Sequence, residues 1–180
     1  MNITRIISAI VVLAVLVAWT GQAENKYVGA KKCAMCHKAK DKGEAFTIWE
    51  KTKHASAFKT LQGEEANKIA KEKGLKVAAA EAPECLKCHV TGGGAAKNVD
   101  AGFKKEEGIT CEACHGAASG FMMIPNTPAT KAKAVTAGLV KGAEAKKTCE
   151  TCHNSGSPTF KGFKYDEMWA KIAHALPAKK

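Results

Sequence analysis

The sequence predicts a mostly helical fold with little or no β-sheet. Apolar residues recur at helical spacing in several segments, and no segment shows the alternation of polar and apolar residues that is typical of a half-buried strand. Aromatic residues make up only 6% of the 180 residues, which is few for a chain that builds its core from side chains alone. We therefore expect helices and loops around an interior that another group helps to fill.

Three helices follow from this spacing and from the residues at their ends. Residues 46–61 form the first, with large apolar side chains near one face. Residues 64–73 form a polar helix that ends before Gly74. Residues 166–176 form the third, which begins with acidic residues and is followed by Pro177. Small residues, Gly or Pro predict loops at residues 78–83, 91–96 and 124–128.

Residues 1–23 are predicted to be a secretory signal peptide, which leaves residues 24–180 as one domain. Arg5 precedes an apolar run over residues 6–19, and small residues at the end of the segment resemble a cleavage site after Ala23. An uncleaved membrane anchor is the alternative, but the run is short for a membrane span, which needs about 20 apolar residues. Cleavage predicts that the mature chain is periplasmic.

Eight cysteines occur as four Cys-x-x-Cys pairs, and a histidine directly follows each pair. This is the attachment signature of c-type haem. Residues i, i+3 and i+4 lie on the same face of a helical turn, so two thiols can reach the two vinyl groups of one porphyrin edge while the histidine binds the iron. The four motifs contain Cys33, Cys36 and His37; Cys85, Cys88 and His89; Cys111, Cys114 and His115; and Cys149, Cys152 and His153.

Two other interpretations explain the cysteines but leave the histidines unexplained. The four pairs could form two Cys₄ zinc sites, or each pair could form a redox-active disulfide. Neither kind of site needs a histidine after every pair. We therefore predict four covalently bound c-type haems, each with one iron, whose faces supply much of the core.

Two histidines, His54 and His174, lie outside the motifs. Because histidine is a common axial ligand of haem iron, each is predicted to bind the distal face of one iron, and each falls within a predicted helix. The other two irons would then be five-coordinate or bound by methionine. Met122 or Met123, in the loop after the third motif, is the candidate methionine.

With these residues placed, the chain resembles the cytochrome c-554 family of tetrahaem proteins over roughly residues 27–177. The resemblance includes the order of the motifs, Lys53-His54-Ala55, Gly108-Ile109-Thr110 before the third motif, and residues 163–168 ahead of His174. It implies a mostly helical fold wrapped around stacked haem pairs, with His54 and His174 as distal ligands. The family also has a third distal histidine after the third motif, where residues 121–124 of this chain contain none.

These features predict a periplasmic electron carrier that exchanges electrons with other cytochromes or with an oxidoreductase. A haem enzyme acting on nitric oxide, nitrite or hydroxylamine at an open iron is one alternative, and a subunit of an extracellular cytochrome filament is another. The formal net charge of +11 comes from scattered lysines and one arginine. This composition argues against nucleic-acid binding and favours contact with acidic partners or an anionic membrane surface.

Overall fold

The computed structural model describes residues 24–94, 97–141 and 143–175. Within them are nine α-helices and no β-sheet, which confirms the predicted mostly helical class. An isolated parallel bridge joins Tyr27 to Val99. The helices are α1 Ala30–His37, α2 Ala45–Glu50, α3 Ala57–Thr60, α4 Glu64–Glu72, α5 Pro83–His89, α6 Cys111–His115, α7 Lys131–Thr136, α8 Ala143–Cys152 and α9 Tyr165–Trp169.

The predicted signal peptide over residues 1–23 lies outside the described residues. In the part of the chain that is described, none of the helices has the length and apolar character needed to cross a membrane.

The prediction of one continuous helix over residues 46–61 is wrong. α2 ends at Glu50, turns occupy residues 51–56, and α3 follows. The carbonyl oxygen of His54 accepts hydrogen bonds from the backbone N–H groups of Ala57 at 3.2 Å and Ile109 at 3.0 Å. Because the distant Ile109 uses this carbonyl, the regular helical bonding pattern does not continue through it. His54 therefore lies in a turn rather than in a helix.

The predicted helix over residues 166–176 is also too long. α9 ends at Trp169, and the chain closes a short turn in which the N–H of Ile172 bonds to the carbonyl of Trp169 at 3.0 Å. His174 lies beyond this turn, so the prediction that it is helical is wrong as well. The polar helix α4 confirms its predicted bounds to within one residue, and Gly74 follows it at a φ of 71°.

The predicted loops hold in part. Residues 124–128 are irregular, and residues 91–94 form a tight turn in which Gly92 and Gly93 have positive φ. Residues 95 and 96 lie outside the described residues. The loop over residues 78–83 ends one residue early, because Pro83 is the first residue of α5, a position where its fixed φ suits a helix.

The side-chain core is small and centres on α3, α4 and α5. Six of the twelve buried apolar residues in the described part of the chain are alanines, which bury little surface each. This agrees with the low aromatic content of the sequence. The main cluster contains Phe58, Leu61, Ala70, Ala79, Leu86 and Val90.

Candidate haem-binding site

Each Cys-x-x-Cys-His motif lies at the C-terminal end of a helix. α1, α5 and α6 end at the motif histidines His37, His89 and His115, and α8 ends at Cys152, one residue before His153. The thiols and the imidazole of a motif are thus carried on one helical turn, as the spacing predicts.

Two motif histidines are oriented by hydrogen bonds to distant carbonyls. Nδ1–H of His89 donates to the carbonyl of Ala57 at 2.8 Å, and Nδ1–H of His115 donates to that of Val140 at 3.2 Å. Such a bond fixes the tautomer and leaves Nε2 to bind a metal. Burial lowers the pKa of His115 more than its bond to Val140 raises it, which favours the neutral imidazole that a metal requires.

The two histidines outside the motifs each face a motif histidine. The ring centroids of His54 and His153 lie 6.0 Å apart, and those of His115 and His174 are also 6.0 Å apart. A first-row metal ion bound about 2.0 Å from one nitrogen of each ring places the two centroids roughly 6 Å apart. The fold therefore brings His54 opposite the fourth motif and His174 opposite the third.

The surroundings of the two spare histidines suit this arrangement. Nδ1–H of His174 donates to the carbonyl of Ile172 at 3.0 Å, so Nε2 is its remaining ring nitrogen. Burial, reinforced by the nearby His153, lowers the pKa of His54 and favours its neutral form.

No second imidazole faces His37 or His89 in this way among the described residues. Burial lowers the pKa of His37, with further contributions from the nearby His174 and Lys42. Of the two candidate methionine ligands, Met122 is half-buried and Met123 is 82% exposed.

Contacts between thiols show which motifs are neighbours. Cys33 and Cys111 share a hydrogen bond, which with burial raises the pKa of Cys33. Burial and the neighbouring Cys152 raise the pKa of Cys88 to about 11. The first motif thus lies against the third, and the second against the fourth.

The third and fourth motifs connect these two pairs. Burial raises the pKa of Cys114 to about 11, and the nearby Cys149, Cys111 and Cys152 add to this shift. Spacing along the chain carries no signal for this order, because two of the three contacts join motifs that are not consecutive in the sequence.

Glu112 is a buried residue that the sequence did not single out. It lies inside the third motif and is 2% exposed. Its Oε1 accepts N–H groups from Val28 at 2.9 Å and Ala118 at 2.8 Å, and its Oε2 accepts those of Gly29 at 2.9 Å and Val28 at 3.1 Å. The side chain therefore ties the segment before α1 to the third motif.

Glu107 reinforces the same junction. Its Oε2 accepts the N–H of Ala30, the first residue of α1, at 2.7 Å. Its Oε1 is buried without a hydrogen-bond partner. The carboxylates of Glu107 and Glu112 thus both bond to backbone N–H groups at the start of α1, where the first motif meets the third.

The thiols and imidazoles of the four motifs fit a separate haem on each motif. The six thiols of the first three motifs form no disulfide. The described part of the chain contains no group of three or more His, Cys, Asp or Glu side chains placed to hold a single metal ion. What it does contain is two thiols and an imidazole on each helical turn, and two imidazole pairs at the separation that an intervening iron requires.

Comparison with known proteins agrees with this chemistry. Residues 32–116 match the family described as cytochrome c554 and c-prime. Over this stretch the chain is similar to the cytochrome c554 family. The family match includes the first three motifs and His54, whereas the fourth motif and His174 lie beyond it. This similarity implies c-type haem as the cofactor and haem-based electron transfer as the class of function.

A curated relative extends the comparison. The chain is 32% identical over 104 residues to cytochrome c-554 of Nitrosomonas europaea, an alignment that covers 55% of this chain and 42% of that protein. The chain thus matches less than half of the length of that relative. No solved structure matches it significantly.

Proposed function

We propose that this chain is a periplasmic electron carrier with four c-type haems, one on each motif. The observation that carries the proposal is the pair of imidazole contacts at 6.0 Å, because they place the only two spare histidines of the chain opposite two different motif histidines. In this assignment His115 and His174 bind the third iron, and His153 and His54 bind the fourth. His37 and His89 bind the first and second irons, each from one side.

The thiol contacts support a continuous electron path. The first motif contacts the third, the third contacts the fourth, and the fourth contacts the second. Each haem takes up or releases one electron at its iron, and the attachment residues hold neighbouring haems close together. We infer the order first, third, fourth, second for the relay, with the first and second haems at its two ends.

Partner and location follow from charge and from the N-terminal segment. The formal charge, which falls from +11 to +10 when Arg5 is removed with the signal peptide, favours docking on an acidic redox protein, either another cytochrome or an oxidoreductase, or on an anionic membrane surface. The mature chain is expected to begin near Glu24 after export, which N-terminal sequencing of the periplasmic protein would check. Retention of residues 1–23 in the membrane fraction would contradict this.

The enzyme hypothesis keeps one supporting observation. His37 and His89 face no second imidazole among the described residues, so the first or second iron could bind a small nitrogen compound. Turnover of nitric oxide, nitrite or hydroxylamine by the purified protein would establish the enzyme. The filament hypothesis has no comparable support, because both spare histidines face motif histidines of their own chain.

The intact mass and the spin states of the haems test the proposal together. The mature protein should exceed its polypeptide mass by four haems and show two low-spin haems with two histidine ligands. His174→Ala should convert one low-spin haem to high spin, and His54→Ala should convert the other. Neither substitution should remove a haem. Optical and EPR spectra report this change, and Lys171→Ala, an exposed neighbour of His174, is the control.

Two results would contradict the proposal. A mass with fewer than four haems would remove the tetrahaem assignment. Unchanged spectra in both histidine variants would show that neither His54 nor His174 is a ligand. Carbon monoxide binding to the reduced protein then identifies any iron with an open position, since an iron bound by two histidines has none.

A further inference from the structure

The third and fourth motifs carry a glutamate at the same position but in opposite surroundings. Glu112 follows Cys111, and Glu150 follows Cys149. Glu112 is buried and bonded to three backbone N–H groups, whereas Glu150 is exposed. The two motifs therefore differ in whether a carboxylate is enclosed beside the attachment site.

The bonding of Glu112 is that of an ionised carboxylate. Both oxygens accept from N–H donors, and an ionised carboxylate is an acceptor only. Among the described residues, no salt bridge includes Glu112, so no adjacent cation offsets its charge. Water screens a buried charge much less than an exposed one, so its field acts over a longer distance than that of Glu150.

This field acts where the third motif meets the first. A hydrogen bond to Cys111 and burial raise the pKa of the Cys33 thiol, and the negative charges of Glu112 and Glu107 raise it further. The charges of Glu112 and Glu107 therefore disfavour any increase in negative charge at the junction of the first and third motifs. Reduction of ferric to ferrous iron adds one electron, and so removes one positive charge, close to the same residues.

We propose that Glu112 lowers the reduction potential of the third haem, and that the exposed Glu150 has no comparable effect on the fourth. The inference rests on the proposed function, since it needs a haem on both motifs. Glu112 does not bind the metal. Its negative charge acts on the iron through the electric field alone. The two haems share the same axial ligands and nearly the same motif, which makes them a matched pair.

The test compares Glu112→Gln with Glu150→Gln in the full holoprotein by EPR-monitored potentiometric titration. The signal of the third haem is the one lost in His174→Ala, and that of the fourth is the one lost in His54→Ala. A unit charge about 10 Å from a redox centre, at an effective dielectric constant of about 20, changes its equilibrium on the order of tenfold. We expect Glu112→Gln to favour reduction of the third haem about tenfold, or about 59 mV for one electron. Glu150→Gln should leave the fourth haem unchanged.

An unchanged third-haem potential in a Glu112→Gln protein with four haems and native helicity would overturn the inference. If that variant does not accumulate, the unaltered holoprotein tests the inference, because the third and fourth haems share the same axial ligands and nearly the same motif. The third haem should then have a lower reduction potential than the fourth, and an equal or higher potential overturns the inference. The proposed function fails separately, by a mass with fewer than four haems, whereas this inference fails with all four haems in place.

Discussion

The third and fourth motifs, each with the residue before it, have almost the same six-residue sequence. Residues 110–115 and 148–153 both read Thr-Cys-Glu-x-Cys-His and differ only at Ala113 and Thr151. In the third motif Thr110 and Glu112 are buried, whereas in the fourth Glu150, Thr151 and His153 are exposed. The same attachment chemistry is thus placed once in the interior and once near the surface.

The difference lies in what surrounds each motif. α6, which is the third motif, packs between α1 and α8 and also contacts the segment that begins at Thr91. The fourth motif is the end of α8, which contacts α5 and α6. A motif therefore determines how a haem is attached, while the neighbouring chain determines how strongly the site is coupled to the rest of the fold. Matched substitutions in the two motifs measure that coupling.

The largest effect is expected from removing one attachment site at a time. Cys149→Ala with Cys152→Ala should yield a protein with three haems that keeps most of its helicity. Cys111→Ala with Cys114→Ala should yield little holoprotein, because the side-chain core is too small to hold α1 and α8 together without the group between them. Intact mass and far-ultraviolet circular dichroism measure both outcomes. Equal losses in the two variants would show that the motifs are equally coupled.

Substitution of the residue after each motif histidine should have an intermediate effect on the free energy of unfolding. Gly116 has φ 85° and ψ 162°, and a Cβ atom there would lie 2.7 Å from the carbonyl oxygen of Gly138. We expect Gly116→Ala to reduce the free energy of unfolding by at least about 1 kcal/mol. The backbone shift should also disturb the Val140 carbonyl that His115 bonds, and so the spectrum of the third haem.

Asn154 is the matched position in the fourth motif. Its Nδ2–H₂ donates to the carbonyls of Glu150 at 2.8 Å and Thr151 at 3.0 Å, all at the surface. Asn154→Ala should lower the free energy of unfolding by about 0.5 kcal/mol or less, as surface substitutions usually do. Guanidinium unfolding followed by circular dichroism compares the two variants. A cost for Asn154→Ala as large as that for Gly116→Ala would argue against the structural difference.

The smallest effect is expected at the threonine that precedes each motif. The hydroxyl groups of Thr110 and Thr91 lie 3.0 Å apart, and both residues are buried. Thr110→Val should lower the free energy of unfolding by about 1 kcal/mol, because a buried hydrogen bond is lost. Thr148→Val, at the half-buried equivalent position, should change it by no more than about 0.5 kcal/mol. Identical midpoints in a urea titration of the two variants would indicate that the buried pair contributes nothing.

The sequence by itself determined the chemistry of the cofactor and the class of the fold. Cys-x-x-Cys-His is a local pattern whose meaning depends only on the geometry of one helical turn, so it can be interpreted without knowing what surrounds it. Helical spacing likewise predicted the helical class and most of α4. The same spacing failed at residues 51–56, where a hydrogen bond from Ile109 to the His54 carbonyl interrupts the helix.

Only the tertiary structure decided the pairing of the residues that the sequence singled out. Nothing local indicates which motif histidine His54 or His174 faces, because each reaches its partner across a long stretch of chain. The opposite burial of Glu112 and Glu150 has the same origin, since the N–H groups that enclose Glu112 include those of Val28 and Gly29. Such contacts depend on how the whole chain packs, and six nearly identical residues cannot encode them.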